Sequence, residues 1–136
     1  MRKVAASVIA FGLLAAPALA DRKLDEAVAK AEDQLQKGKP EDALKTLTKL
    51  AEQSPSGEAF VALARLQERL GNLDDAAATL AKAKDASPAG PARAEVLAAW
   101  AGMDLLRGTG KDALAHATAA VEQVKASPTA SALAAL

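Results

Sequence analysis

From Leu24 onward the apolar positions recur every three or four residues, and the runs are cut at regular intervals by Gly or Pro. Leu24, Ala27, Val28, Ala31 and Leu35 make the first such stripe. That is the spacing of one face of an α-helix. Gly38 stops the run, and Pro40, Glu41 and Asp42 open the next one. Gly suits the left-handed residue just past a helix end. Pro suits the first helical position, and acids near that end complement the helix dipole. Ala43, Leu44, Leu47, Leu50 and Ala51 form the second stripe, and Pro55 ends it. A third run carries Phe60, Leu63, Ala64 and Leu70 up to Gly71-Asn72, and a fourth carries Leu73, Ala76, Leu80 and Ala83 up to Pro88. Two more runs lie on either side of Gly108-Thr109-Gly110. One, over 95–107, contains Leu97, Trp100, Ala101, Asp104 and Leu105; the other contains Ala113. The pattern predicts helices throughout and no strands.

The helices also repeat as pairs. Gly38, Ala43, Leu47 and Pro55 return as Gly71, Ala76, Leu80 and Pro88, each 33 residues later. A small residue five positions after the turn lets two helices approach closely, and the Leu four positions further fills the gap between them. The third pair is less regular. Residues 89–93 (AGPAR) read as a loop insertion, and Ala113 follows Ala76 by 37 residues. Ala117 stands where Leu is expected, and Pro128 comes late. Ser127-Pro128 followed by Ala132-Leu133-Ala134-Ala135-Leu136 echoes Ser54-Pro55 followed by Ala59-Phe60-Val61-Ala62-Leu63 and reads as the opening of a fourth unit.

These positions, with Ala31, Ala64 and Ala83 as further small packing residues, resemble the tetratricopeptide repeat, a helix–turn–helix unit of about 34 residues. The resemblance implies an all-α fold of antiparallel helical hairpins stacked as a solenoid. The expected units are 24–56, 57–90 and 94–128, with a fourth starting at 129–136. It also implies a concave groove, lined by the first helix of each hairpin, that receives a peptide or partner protein. Carried over to this chain, the groove residues are Asp25, Val28, Glu32 and Gln36 in the first unit and Glu58, Val61, Arg65, Glu68 and Arg69 in the second. Some members clamp a C-terminal carboxylate with Lys and Asn. Here Val28 and Val61 stand at the Lys position, and Glu32 and Arg65 replace Asn, which argues against such a clamp.

Composition narrows the picture. The chain has 37 alanines, no Cys, no Tyr, one Trp, two Phe and one His among 136 residues. Alanine has the best helix propensity. Without Cys there is no disulfide framework and no thiolate chemistry. Lys and Arg number 17 and so do Asp and Glu, interspersed as on a solvated helical surface. No basic face for a nucleic-acid backbone is indicated.

Residues 1–20 (MRKVAASVIAFGLLAAPALA) differ from the rest. Arg2 and Lys3 precede an uncharged apolar stretch; Pro17 is expected to break the helix, and Ala18-Leu19-Ala20 has the small-x-small form of a cleavage site. Together these are the three parts of a secretory signal peptide. The apolar run falls short of the roughly 20 residues that span a bilayer. The expectation is cleavage after Ala20, leaving domain 21–136 exported, periplasmic or secreted from a bacterium, and not membrane-spanning.

Candidate chemistry is sparse. His116 has Asp112 as its helical neighbour four residues back, an ordinary surface pair. Trp100 and Met103, three apart, read as core. The adjacent acid pairs Asp25-Glu26, Glu32-Asp33, Glu41-Asp42 and Asp74-Asp75 diverge by about 100° on a helix. No calcium loop, phosphate loop, zinc-helix motif or nucleophile elbow is present. The sequence therefore reads as a non-enzymatic interaction scaffold without cofactor or metal. The alternatives are an N-terminal adaptor of a larger envelope-assembly or secretion protein, or a periplasmic peptide-holding chaperone.

Overall fold

The computed structural model describes the backbone of residues 2–126 and the side chains of residues 19–126. Over that range the chain forms helices α1 (Arg2–Gln36), α2 (Pro40–Gln53), α3 (Gly57–Arg69), α4 (Leu73–Ala86), α5 (Pro91–Arg107) and α6 (Gly110–Lys125). They pair as hairpins α1–α2, α3–α4 and α5–α6, and each hairpin packs on the next. The expected fourth unit at 129–136, with Pro128, lies outside the described residues.

All three hairpin turns have one geometry. Gly38, Gly71 and Gly108 sit at φ of 71°, 79° and 76°. In each, the glycine N–H bonds the carbonyl three residues back and the next N–H bonds the carbonyl five back. The latter are Lys39 to Gln34, Asn72 to Gln67 and Thr109 to Asp104, at 2.8–2.9 Å. This double bond satisfies the last carbonyls of the first helix, and the positive φ is why glycine is needed there.

The small residues after the turns lie where the helices cross. Ala43 and Ala76 are completely buried and Ala113 nearly so. Leu47, with Ala31, Ala51, Ala59, Leu63 and Leu66, makes the core between the first two hairpins. Leu80, with Ala64, Ala83, Val96 and Met103, makes the core between the second and third. Phe60 packs against both. Pro55 and Pro88 are exposed in the links between hairpins. They stop helices and add no packing.

Four features differ from the sequence pattern. The first helix is not confined to 24–37 but runs from Arg2, and it passes through Pro17 without a break. Proline removes a single backbone bond, and the Ala/Leu-rich flanks are strong helix formers on either side. Residues 89–93 are not a loop insertion. Only Ala89 and Gly90 form the turn, and Pro91 occupies the first helical position of α5. The four extra residues of the third unit lengthen its first helix by one turn, to 17 residues against 13 in α3. Arg93 pins that added turn by donating to the Ser87 carbonyl from Nε at 3.2 Å and from its guanidinium at 2.8 Å. Leu105 does not join the core and stays two-thirds exposed. Finally, His116 does not pair with Asp112. Its Nδ1 lies 2.7 Å from Oδ2 of Asp104 across the hairpin, and its ring stacks on Trp100 at 4.1 Å.

The last contact belongs to a repeated device. Gln34, Gln67 and Asp104 are equivalent positions in the three first helices, and Thr46, Thr79 and His116, each 12 residues on, face them from the second helices. Thr46 donates to Gln34 Oε1 at 2.8 Å. Thr79 is buried opposite Gln67, whose Oε1 has no partner. In the third hairpin the pair is ionisable, and Asp104 is buried to 1% exposure. Arg107 places its guanidinium 3.7 Å from the Asp104 carboxylate and bonds Asp74 of α4 at 2.7 Å. In the first and third hairpins the residue that closes the turn through its carbonyl thus also ties the two helices together through its side chain.

Candidate partner-binding groove

Stacking the hairpins puts α1, α3 and α5 side by side, because each hairpin presents its first helix to the same side. Their exposed faces, with Leu47 and Ser87 below, line a cavity of about 650 Å³. That lies within the range of pockets that enclose a ligand or peptide segment. Its apolar lining comes from Leu24, Val28 and Leu35 on α1, Val61 and Leu66 on α3, and Val96 on α5.

Gly57 sets how closely the start of α3 approaches the end of α4, its partner in the second hairpin. A side-chain carbon at this position would collide with Oγ of Ser87 and sit 3.2 Å from its Cβ. Ser87 is buried and held by a 2.8 Å bond to the Ala83 carbonyl. Ser56 caps α3 by accepting from the Ala59 N–H at 3.1 Å. The start of α3, where Glu58 enters the groove, is therefore fixed from both sides.

Of the groove residues expected from the sequence, Asp25, Val28, Glu32, Glu58, Val61, Arg65 and Arg69 line this cavity together. Gln36 and Glu68 lie on the same helices outside the lining. Arg69 bridges α3 to α1 through a 2.6 Å ion pair with Glu32. The contribution of α5, namely Ala92, Glu95 and Val96, was not anticipated. The signal was present in the sequence as the offset of 37 from Glu58 to Glu95. Reading 89–93 as a loop hid it.

The geometry offers apolar surface and charged rims. Among the described residues no group of three or more His, Cys, Asp or Glu is placed to hold a metal ion. Buried Asp104 and half-buried His116 lie between the helices of the third hairpin and do not line the cavity.

Comparison with known proteins agrees with this architecture. Residues 28–91 match the family described as tetratricopeptide repeat. That stretch carries tetratricopeptide repeats. Among solved structures, this chain is similar to the Yersinia enterocolitica type III secretion translocator chaperone SycD in an alternative dimer. The TM-score is 0.62 and the identity 22%, over 84% of this chain and 85% of that one. It is also similar to MamA of MSR-1 and of AMB-1, each with a TM-score of 0.58 and 25% identity over 74% of this chain. The match spans 56% and 58% of those two chains, so it extends over little more than half of MamA. No curated protein matches the chain. The repeats and their helical solenoid are those of a protein–protein interaction scaffold.

Proposed function

We propose that this protein holds a peptide segment of a partner protein in the cavity along α1, α3 and α5. The observation that carries the reading is the cavity itself. Three equivalent helices contribute to it, its floor is apolar, and its charged residues stand at the rim. Such a surface fits a chain that lays apolar side chains on the floor and polar ones at the edge, the general plan of peptide recognition by helical grooves. Export is part of the proposal and rests on residues 1–20: a bacterial envelope compartment or the exterior is where a chain with that leader would work.

Two measurements test it. A photo-crosslinking amino acid at Val61 should capture a partner in cells, while the same group at the exposed Lys82 on α4 should not. Equal capture at both positions overturns the groove reading. The intact mass of the protein from its source should correspond to a chain starting at Asp21; a retained Met1 overturns the cleavage reading.

A second reading is favoured by one feature of α6. Leu114, Ala117, Val121 and Val124 form a solvent-exposed stripe. They are the equivalents, 37 residues on, of Ala77, Leu80, Lys84 and Ser87 in α4. Of these, Leu80 packs against the third hairpin. On this reading the unit is an adaptor that stacks against further helices in a larger envelope or secretion assembly. The native mass separates the two readings, because such a chain would be substantially longer.

A further inference from the structure

The charged residues of the groove are not scattered. Asp25, Glu58 and Glu95 occupy one repeat position, 33 and then 37 residues apart. The larger step is the extra turn of α5, so the three carboxylates fall at the same place on α1, α3 and α5. All three line the cavity and all three are exposed. None is ion-paired among the described residues, although Glu32, beside them, is held by Arg69. Of the lining cations, Arg69 is thus neutralised by Glu32, and Arg65 alone faces the three acids. The groove wall therefore carries a ladder of one unpartnered carboxylate per hairpin above an apolar floor.

We propose that the groove selects a basic segment of its partner, with Lys or Arg side chains spaced to meet Asp25, Glu58 and Glu95 in turn. This rests on the groove reading above and adds the charge and spacing of what is bound. Packed helices stand about 8–10 Å apart, which sets the rung spacing. A peptide in the polyproline II conformation, with three residues per turn and a rise of about 3.1 Å per residue, meets that spacing with a cation at every third position, all on one side. The intervening side chains then reach the apolar floor at Val28, Val61 and Val96. Complementary charge of this kind governs partner choice and association rate, and a like-charged segment is rejected.

The test uses the full chain and three fluorescein-labelled 12-residue peptides with Val and Ala between the variable positions. One has Lys at every third position, one has Glu there, and one has Gln. Binding is followed by anisotropy at low and high salt. The Lys peptide should bind tightest, more weakly as salt rises, and the Glu peptide not at all. Asp25→Asn, Glu58→Gln and Glu95→Gln should each weaken the Lys peptide by about threefold, as for exposed ion pairs. The triple variant should lose about thirtyfold, since separated sites add. Circular dichroism on the triple variant should be unchanged, because all three side chains are exposed. Equal binding of the Lys and Gln peptides, or full Lys-peptide affinity in the triple variant, overturns the charge ladder and leaves the groove standing. Failure of all three peptides to bind overturns both.

Discussion

Single residues show how a chain poor in aromatics still builds a core. With Ala43 and Ala76 at the helix crossings, packing comes from backbone approach rather than from side-chain bulk. Leu80→Asp should therefore unfold the second hairpin, because a carboxylate among Ala64, Ala83, Val96 and Met103 has no cation within its own cluster. The expected cost is about 4 kcal/mol or more, measured by chemical denaturation. Unchanged helicity and melting would contradict the stacking of α4 on α5. The Asp104–His116 pair makes a second residue-scale test. His116→Ala leaves a buried carboxylate with only the more distant Arg107. Stability should fall by about 2 kcal/mol, the order expected for orphaning a buried polar group. The Asp104→Ala/His116→Ala double variant should be less destabilised than the sum of the singles; additivity would mean the two side chains are not coupled.

Elements are delimited by glycine, proline and one close contact. The turn glycines explain where each first helix ends, and Pro40 and Pro91 explain where α2 and α5 begin. Gly57 has a different role, since it lies inside α3 and is needed for approach to Ser87. Gly57→Ala should cost about 1–3 kcal/mol by overpacking, even though alanine is the better helix former. Adding Ser87→Ala, which removes the colliding Oγ, should recover part of that loss in a denaturant titration. No recovery would show that contact with Ser87 at the end of α4 is not what limits the site. Spacing did not mark this contact, because in the sequence position 57 stood only as the start of the second unit.

At the scale of the whole molecule, the hairpins bury their faces against one another, and among the described residues the outer face of α6 stays exposed. The described array ends on the apolar stripe of α6, and among the described residues no helix is long and apolar enough to cross a membrane. If that stripe faces solvent, Leu114→Lys and Val121→Lys should each change unfolding free energy by no more than about 0.5 kcal/mol. They should also lower binding of an apolar dye. A loss above about 1.5 kcal/mol would mean that the face is covered. The groove, on the adjoining side, is likewise a property of the assembly: no single helix contains it.

The helix pattern, the 33-residue pairing, the turn glycines and the buried alanines could all be read from residue order alone. Each depends on interactions within a few turns or on a periodicity that packing imposes on the chain. Asp25, Val28, Glu58 and Val61 came as groove residues from the resemblance to the repeat family, and all four line the cavity. Tertiary structure alone decided that the four extra residues extend α5, so that Glu95 completes the row of carboxylates. It alone decided that His116 belongs with Asp104 rather than Asp112. Both depend on which faces of separate helices meet. That is set by how closely the hairpins pack, a distance that no local spacing records.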